Sequence, residues 1–140
     1  MDVKFLNRSI WQRLFGISAT KEPADKKSWT CQSGELIVDL KRVPDLTVPG
    51  SALRFEGGSL PVRVLVVCGP DEEYRAFHNR CTHFGHRRLD YVPGTDTIQC
   101  CSINKSTYTF AGKKIHGPNP KPVAVFPVVK KEDFLHISLI

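Results

Sequence analysis

The chain has 140 residues, which suits one domain and is long enough to bury a core without help from disulfides. Its hydrophobic content of 41% and charged content of 24% are ordinary for a folded protein and exclude disorder as the main state. The longest apolar run, Val64–Cys68, is the length of a strand. The sequence therefore predicts no transmembrane segment and, without a visible secretory signal, a cytoplasmic protein.

The first 30 residues read as a helical extension and linker ahead of a domain that covers residues 31–140. Ser9 and Gln12 fit a capping box, and Gly16 fits the end of a helix. The apolar residues that follow the cap at helical spacing are Trp11, Leu14 and Phe15. This pattern predicts a short amphipathic helix over residues 10–15. We expect its apolar face to dock on the chain's own domain, with a partner or a membrane surface as alternatives.

From residue 35 onward, short β-prone runs alternate with Gly, Pro and Asp turn signals. The predicted strands cover residues 35–40, 52–56, 63–68, 74–79, 97–101, 106–110, 124–129 and 135–139. Many short strands with a single small helix predict an all-β sandwich or barrel of antiparallel sheets.

The net charge of +6 is concentrated in one part of the chain. Residues 75–121 hold eight basic and two acidic side chains, and the rest of the sequence is neutral overall. The same stretch contains four of the five histidines and three of the five cysteines. A solvated basic face would explain the charge alone, but its coincidence with metal-binding residue types favours a functional region. Without a nucleic-acid-binding motif, we expect no nucleic-acid partner.

Two segments carry this chemistry, and each follows a predicted strand. The first begins with Cys81, Thr82 and His83, and the second with Cys100 and Cys101. Five cysteines cannot all pair, so thiolate–metal chemistry is favoured over disulfides. Thiolate and imidazole ligands suit an iron–sulfur centre or zinc.

These segments resemble the Rieske family, in which Cys-x-His-x-Gly on one loop faces Cys-x-x-His-Gly on a second. The resemblance covers residues 35–140. Its matching residues are Cys81, His83, Gly85, Cys101, Tyr108, Gly112, Gly117 and Pro118. It implies a stack of antiparallel sheets with a [2Fe–2S] cluster held by hairpin loops at one tip. In the family, two cysteines bind one iron and two histidines bind the other.

The sequence departs from this family at the second histidine. With Cys101 as the second thiolate, the histidine position falls on Asn104 and the following glycine on Lys105; with Cys100 it falls on Ile103. The resemblance therefore implies Cys81, His83 and Cys101 as ligands with an undetermined fourth. The candidates for that fourth ligand are Cys100, His86, His116 and Asn104.

Three alternatives to the cluster stay open. In the first, Cys81, His83 and Cys101 bind a single structural zinc ion together with His86 or Cys100. In the second, the fold binds no metal and acts as an interaction module. In the third, Cys100 or Cys101 is a reactive thiolate in basic surroundings.

The resemblance also implies roles around the centre and for the whole molecule. The residues expected to surround the ligands are Gly85, Tyr108 and Pro118. The cations expected to dock an acidic redox protein are Arg87, Arg88, Lys105 and Lys113. We expect a carrier of one electron at a time, acting as a small ferredoxin or as a subunit of a larger redox complex. No substrate pocket or catalytic dyad is visible in the sequence, so an oxidoreductase component is favoured over a stand-alone enzyme.

Overall fold

A computed structural model describes residues 3–82, 87–103, 105–117 and 121–139 of the chain. The described residues form one short helix, α1 (Ile10–Leu14), two 3₁₀ turns at Leu40–Arg42 and Pro44–Thr47, and twelve strands. The strands are β1 (Trp29–Gln32), β2 (Glu35–Asp39), β3 (Ser51–Phe55), β4 (Val64–Cys68), β5 (Tyr74–His78), β6 (Leu89–Tyr91), β7 (Thr97–Cys100), β8 (Thr107–Thr109), β9 (Lys114–His116), β10 (Val125–Phe126), β11 (Val128–Lys131) and β12 (Phe134–Ser138).

The strands form three antiparallel sheets of four strands each, which confirms the predicted all-β architecture. Their orders are β1-β2-β12-β11, β10-β5-β4-β3 and β6-β7-β8-β9. The third sheet consists of three successive hairpins, β6-β7, β7-β8 and β8-β9. It carries both cysteine-containing segments.

The second sheet lies between the other two, and β4 shows why. All five residues of β4 are buried. Val64 and Val66 belong to one apolar cluster, which also includes Leu36 of β2. Leu65 and Val67 belong to another, which the sheet β6-β7-β8-β9 shares. Because successive strand residues point to opposite faces, a continuous apolar run supplies both clusters at once.

Helix α1 has the predicted capping box, in which Ser9 Oγ accepts from the backbone N–H of Gln12 at 3.1 Å. The expectation that its apolar face docks on the domain was wrong. Trp11 and Phe15 are each 66% exposed, whereas Arg13 is 5% exposed and faces the domain. The helix is attached through the guanidinium of Arg13. This group donates to four acceptors, which are Leu6 O, Gln99 Oε1, Cys100 O and Ser102 O.

The segment after α1 is attached through a buried carboxylate. Asp90 of β6 is 1% exposed. Its two oxygens accept hydrogen bonds from Ser18 Oγ at 2.7 Å, the backbone N–H groups of Ala19 and Thr20, and Thr20 Oγ1 at 2.6 Å. A buried carboxylate with four donors is well compensated for its lost hydration.

Among the described residues, no helix is both long and apolar enough to cross a membrane. The first strand begins at Trp29, close to the expected start of the β domain. The division of the chain at residue 30 stays a prediction.

Candidate metal centre

Two connections between strands bring the cysteines together. The β5–β6 connection contains Cys81, and the β7–β8 connection begins directly after Cys100, the last residue of β7. The backbone N–H of Cys81 donates to Arg87 O at 3.0 Å, within the first connection. The N–H of Cys101 donates to Arg88 O at 3.1 Å, which joins the second connection to the first.

Cys81 and Cys100 lie in the same apolar cluster, and Cys101, also buried, lies outside it. Cys81 and Cys100 are 0% and 1% exposed and share that cluster with Tyr108. The Cys100 thiol lies 3.0 Å from Ser102 Oγ. The Cys101 thiol donates instead to the backbone oxygen of Gly16, at 3.3 Å. The two neighbours therefore differ in their second contacts, Ser102 Oγ for Cys100 and Gly16 O for Cys101.

The three thiols are nevertheless electrostatically linked. Interactions with the Cys101 and Cys81 thiols, together with burial, raise the pKa of Cys100. The hydrogen bond with Cys100 lowers the pKa of Cys101 to about 7, with a further contribution from the Arg88 backbone. Cys101 is therefore the first of the two neighbouring thiols to ionise. All five cysteines of the chain are reduced in the structure.

Tyr108 is buried next to Cys81 in this group of thiols. Its hydroxyl lies 2.8 Å from Thr82 Oγ1 and 3.9 Å from Cys81 Sγ. Burial is the main cause that raises the pKa of Tyr108 to about 12, so the hydroxyl keeps its proton near neutral pH. It is therefore a hydrogen-bond donor available to oxygen or sulfur.

Gly117 supports the second connection from outside. Its φ of +110° favours glycine, and an added Cβ would come within 2.5 Å of Ser106 Oγ and 2.8 Å of Ser106 Cα. The glycine that the family resemblance singled out is thus required for close packing against the residues before β8.

Two arginines that the sequence analysis missed hold the connections in place. Arg63 donates from Nε to Asn79 O at 3.1 Å and from Nη2 to Arg87 O at 3.4 Å, across the first connection. Arg13 donates from Nη1 to Cys100 O at 3.4 Å and Ser102 O at 3.3 Å, across the second. Single arginines carry no sequence pattern, so only the structure identifies them.

Several predicted site residues lie outside the described residues: His83, Gly85, His86, Asn104 and Pro118. His116, another candidate ligand, is exposed on β9, where its ring packs edge-on against Phe5 with centroids 5.0 Å apart. Within the described part of the chain, no group of three His, Cys, Asp or Glu side chains is arranged to hold a metal ion. The expected nitrogen ligands from the connections thus belong to the part that is not described.

The four cations expected to dock a partner are in different surroundings. Arg88 forms a bidentate ion pair with Glu56, at 2.8 and 2.7 Å. Arg87 packs against Gly16, and Lys105 Nζ lies 5.1 Å from the centre of the Phe5 ring. Lys113 is exposed in the β8–β9 turn, at the end of β8 away from the cysteines.

The model of the Rieske [2Fe-2S] domain family matches residues 38–127, which is more than half of the chain. This range includes β4, β5 and all four strands of the third sheet, with both cysteine-bearing connections. It leaves out α1 and the segment that follows it.

Solved structures with the same fold include a ferredoxin and an oxygenase. The ferredoxin of carbazole 1,9a-dioxygenase from Nocardioides aromaticivorans IC177 is 19% identical with a TM-score of 0.54, over 69% of this chain and 91% of that one. The quaternary ammonium Rieske monooxygenase CntA, solved with L-carnitine, is 19% identical with a TM-score of 0.55, over 81% of this chain. The present chain spans only about a third, 32%, of the monooxygenase. At these identities the likeness shows the fold.

Proposed function

The chain belongs to the Rieske [2Fe-2S] domain family, and from that premise we propose that it carries one electron at a time on a [2Fe–2S] cluster. The observation that supports this function is the meeting of Cys81, from the β5–β6 connection, and Cys100, at the end of β7, in one buried group of thiols. A small carrier and a subunit of a larger redox complex both fit this proposal.

The described residues fit the sulfur half of such a centre. Cys81 and Cys100 contact each other among buried apolar side chains. One iron of a [2Fe–2S] cluster requires two such thiolate ligands. We propose His83, which lies outside the described residues, as a ligand of the other iron, with the fourth ligand undetermined. When bound, the cluster accepts and releases a single electron.

The chain's own residues hold and tune this site. Cys81 and Cys100 supply thiolates, which bind metal only after they lose their protons. The Tyr108 hydroxyl lies 3.9 Å from Cys81 Sγ, and a hydrogen bond donated to this sulfur once it is a thiolate would favour the more negative, reduced state. Arg63 and Arg13 fix the carbonyl groups of the two connections, so the donors keep their positions as charge changes.

The contacts favour Cys100 over Cys101 as the second thiolate, whereas the family spacing favours Cys101. Cys100 shares an apolar cluster with Cys81, whereas Cys101 lies outside that cluster, is hydrogen-bonded to Cys100 and donates to Gly16 O. We propose Cys81 and Cys100 as the thiolate pair and Cys101 as their neighbour, with His116, which packs against Phe5 on β9, outside the ligand set. Zinc at the same thiols is the competing metal.

We propose an acidic redox protein as the electron partner. Arg87 and Lys105 lie on the two cysteine-bearing connections and give the partner a positive surface near the site. We do not include Arg88 in this docking surface, because its guanidinium is already paired with the Glu56 carboxylate.

Anaerobic purification of the full chain tests the cluster. We expect a red-brown protein with about two iron and two sulfide ions per chain and an electron paramagnetic resonance signal after reduction. Cys81→Ser and Cys100→Ser should remove the colour. Cys101→Ser should keep it, and Cys31→Ser, far from the site, is the matched control.

The outcome for the two neighbouring cysteines decides the ligand assignment. Loss of colour in Cys101→Ser with retention in Cys100→Ser would reverse our choice of the second thiolate. A colourless chain with one zinc ion would replace the cluster by a structural metal. A chain that folds without either metal would favour a cluster-free interaction module. In that case the Cys100 thiol already has a hydrogen-bond partner in Ser102 Oγ.

A further inference from the structure

The segment around α1 exposes an unusual concentration of large apolar side chains. Of the eleven that are exposed among the described residues, six lie within residues 5–17. A seventh, Ile103, follows Ser102, whose backbone oxygen is bound by Arg13 of the helix. We call this surface the α1 patch; its members are Phe5, Ile10, Trp11, Leu14, Phe15, Ile17 and Ile103. Contiguous apolar surface of this kind marks an interaction site.

The patch is held rigidly, although its apolar side chains face outward. Trp11 and Phe15 stack with ring centroids 6.4 Å apart. Arg13 attaches the other side of the helix by four hydrogen bonds, including one of 2.7 Å to Leu6 O and one of 3.0 Å to Gln99 Oε1. The aromatic rings are therefore presented by a fixed element and need no rearrangement before they contact a partner.

The charge around the patch has one sign. Residues 3–18 contain no Asp or Glu. Of their three cations, Arg8 lies at the patch and donates to Ile17 O at 3.0 Å, whereas Lys4 reaches Pro93 O in the β6–β7 turn and Arg13 is buried. Lys105 adds a further cation beside Phe5, with its Nζ 5.1 Å from the ring centre. A second copy of this chain would bring like charges together, which opposes self-association through the patch. The surface that covers it must be apolar within and negative at its edge.

The exposed side chains favour a lipid surface over a protein surface. The five side chains of the patch between residues 10 and 17 offer a single polar atom, the indole nitrogen of Trp11. Protein interfaces commonly form about one hydrogen bond per 100–200 Å² of buried area. An apolar face that carries Trp, Phe and Leu, with basic residues along its border, is the pattern of helices that lie in the membrane interface.

We propose that the α1 patch binds the surface of an anionic lipid bilayer, with its apolar side chains at the boundary of the acyl chains and its cations at the headgroup phosphates. The Cys101 thiol, which donates to Gly16 O at the end of this segment, then lies close to the bilayer. The binding is a property of the polypeptide and does not depend on whether iron is bound.

Sedimentation with vesicles tests this proposal on the full chain. The chain should bind vesicles of phosphatidylcholine mixed with phosphatidylglycerol and bind vesicles of phosphatidylcholine alone more weakly. The Trp11→Ser/Phe15→Ser double variant should lower the partition coefficient at least about tenfold, because two large apolar side chains no longer insert. Phe134→Ser, an exposed aromatic on β12, is the matched control and should leave binding unchanged.

The contribution of charge is tested with one cation. Lys105→Gln, which removes the cation beside Phe5, should weaken binding to the anionic vesicles about fivefold, the effect of one basic residue near a negative membrane surface. Lys131→Gln on the β11–β12 hairpin should not change it. Equal binding of both variants and of the parent chain would contradict the electrostatic part of the proposal.

Fluorescence locates the inserted residue. In the Trp29→Phe background, Trp11 is the sole tryptophan, and its emission should shift to the blue with anionic vesicles and be quenched by brominated lipid. Unchanged emission would overturn the proposal. A chain that ignores vesicles but forms a dimer that the Trp11→Ser/Phe15→Ser variant dissociates would assign the patch to a second copy instead.

Discussion

Tyr108 shows how one hydroxyl group can serve two neighbours at this site. The residue is fully buried, and its oxygen lies within reach of both Thr82 Oγ1 and Cys81 Sγ. Since its pKa is raised to about 12, it stays protonated across the physiological range. A neutral donor beside a sulfur ligand stabilises added negative charge without introducing a charge of its own.

We predict that Tyr108→Phe lowers the reduction potential of the loaded protein by about 40 mV, the one-electron equivalent of one hydrogen bond of about 1 kcal/mol. Protein-film voltammetry gives the measurement. Tyr91→Phe is the matched control, because its hydroxyl donates to Thr95 O at 2.8 Å in the same sheet. A potential that stays constant in Tyr108→Phe would show that the hydroxyl serves Thr82 alone.

The candidate site could be predicted only in part from single residues. The segments that contain Cys81 and Cys101 were identified by their residue types and by their positions after strands. The different surroundings of Cys100 and Cys101 depend on where Ser102 and Gly16 lie, and no spacing rule encodes that. The role of Arg13 could not be predicted for a related reason. Its acceptors at Gln99, Cys100 and Ser102 are more than 80 residues away in the sequence.

At the scale of elements, α1 depends on a buried cation. Arg13 satisfies four acceptors, three of them backbone carbonyls, and burial lowers its pKa from the ordinary arginine value while leaving it charged. A charged side chain in this setting stabilises the structure only while all its hydrogen bonds are kept.

We predict that Arg13→Met lowers the free energy of unfolding by about 2–4 kcal/mol, because buried acceptors are left without donors. Chemical denaturation measures the loss, and faster amide exchange near Cys100 and Ser102 would locate it. Arg42→Met is the control: its side chain is 49% exposed and pairs with Asp25 at the surface, so the change should be within about 1 kcal/mol. Equal losses in both variants would contradict an anchoring role for Arg13.

The elements themselves followed closely from local patterns. The capping box of Ser9 placed α1 within one residue, and the apolar run Val64–Cys68 correctly predicted a strand. What the patterns missed was the direction in which α1 faces. Amphipathicity indicates which side of a helix is apolar, but the network around Arg13 decides which side meets the domain.

At the scale of the whole molecule, one ion pair connects two of the three sheets. Glu56 follows the end of β3 in the middle sheet, and Arg88 precedes β6 in the sheet that carries the cysteines. Both side chains are mostly buried, at 17% and 30% exposed. The hydrogen bonds from Arg88 lower the pKa of the Glu56 carboxyl despite its partial burial.

We predict that Glu56→Gln lowers the free energy of unfolding at neutral pH by about 1–2 kcal/mol. Because the pKa of Glu56 is lower in the folded than in the unfolded state, this contribution is complete above the ordinary glutamate value of about 4.3. It is lost as the pH falls through the folded-state pKa. Denaturation curves at several pH values should therefore converge in acid. Glu73→Gln, whose side chain is 76% exposed, should show little difference at any pH.

The all-β architecture was predictable because most strands have a local signal. The short strands β1, β6 and β9 were not predicted, residues 124–129 were predicted as one strand where the structure has β10 and β11, and the order of strands within a sheet was not predictable. The first sheet places β12 between β2 and β11, joining residues about 100 positions apart, and nothing in a short window of sequence indicates such a partner.

That pairing of β2 with β12 also constrains how the chain acquires its structure during synthesis. Glu35–Asp39 reaches its neighbour only after Phe134–Ser138 has left the ribosome, so the edge of β2 that awaits β12 stays open while the intervening hundred residues are translated. An unfinished sheet edge is a template for strands of other chains. Nascent-chain aggregation and chaperone demand should therefore fall sharply once the last strand is complete.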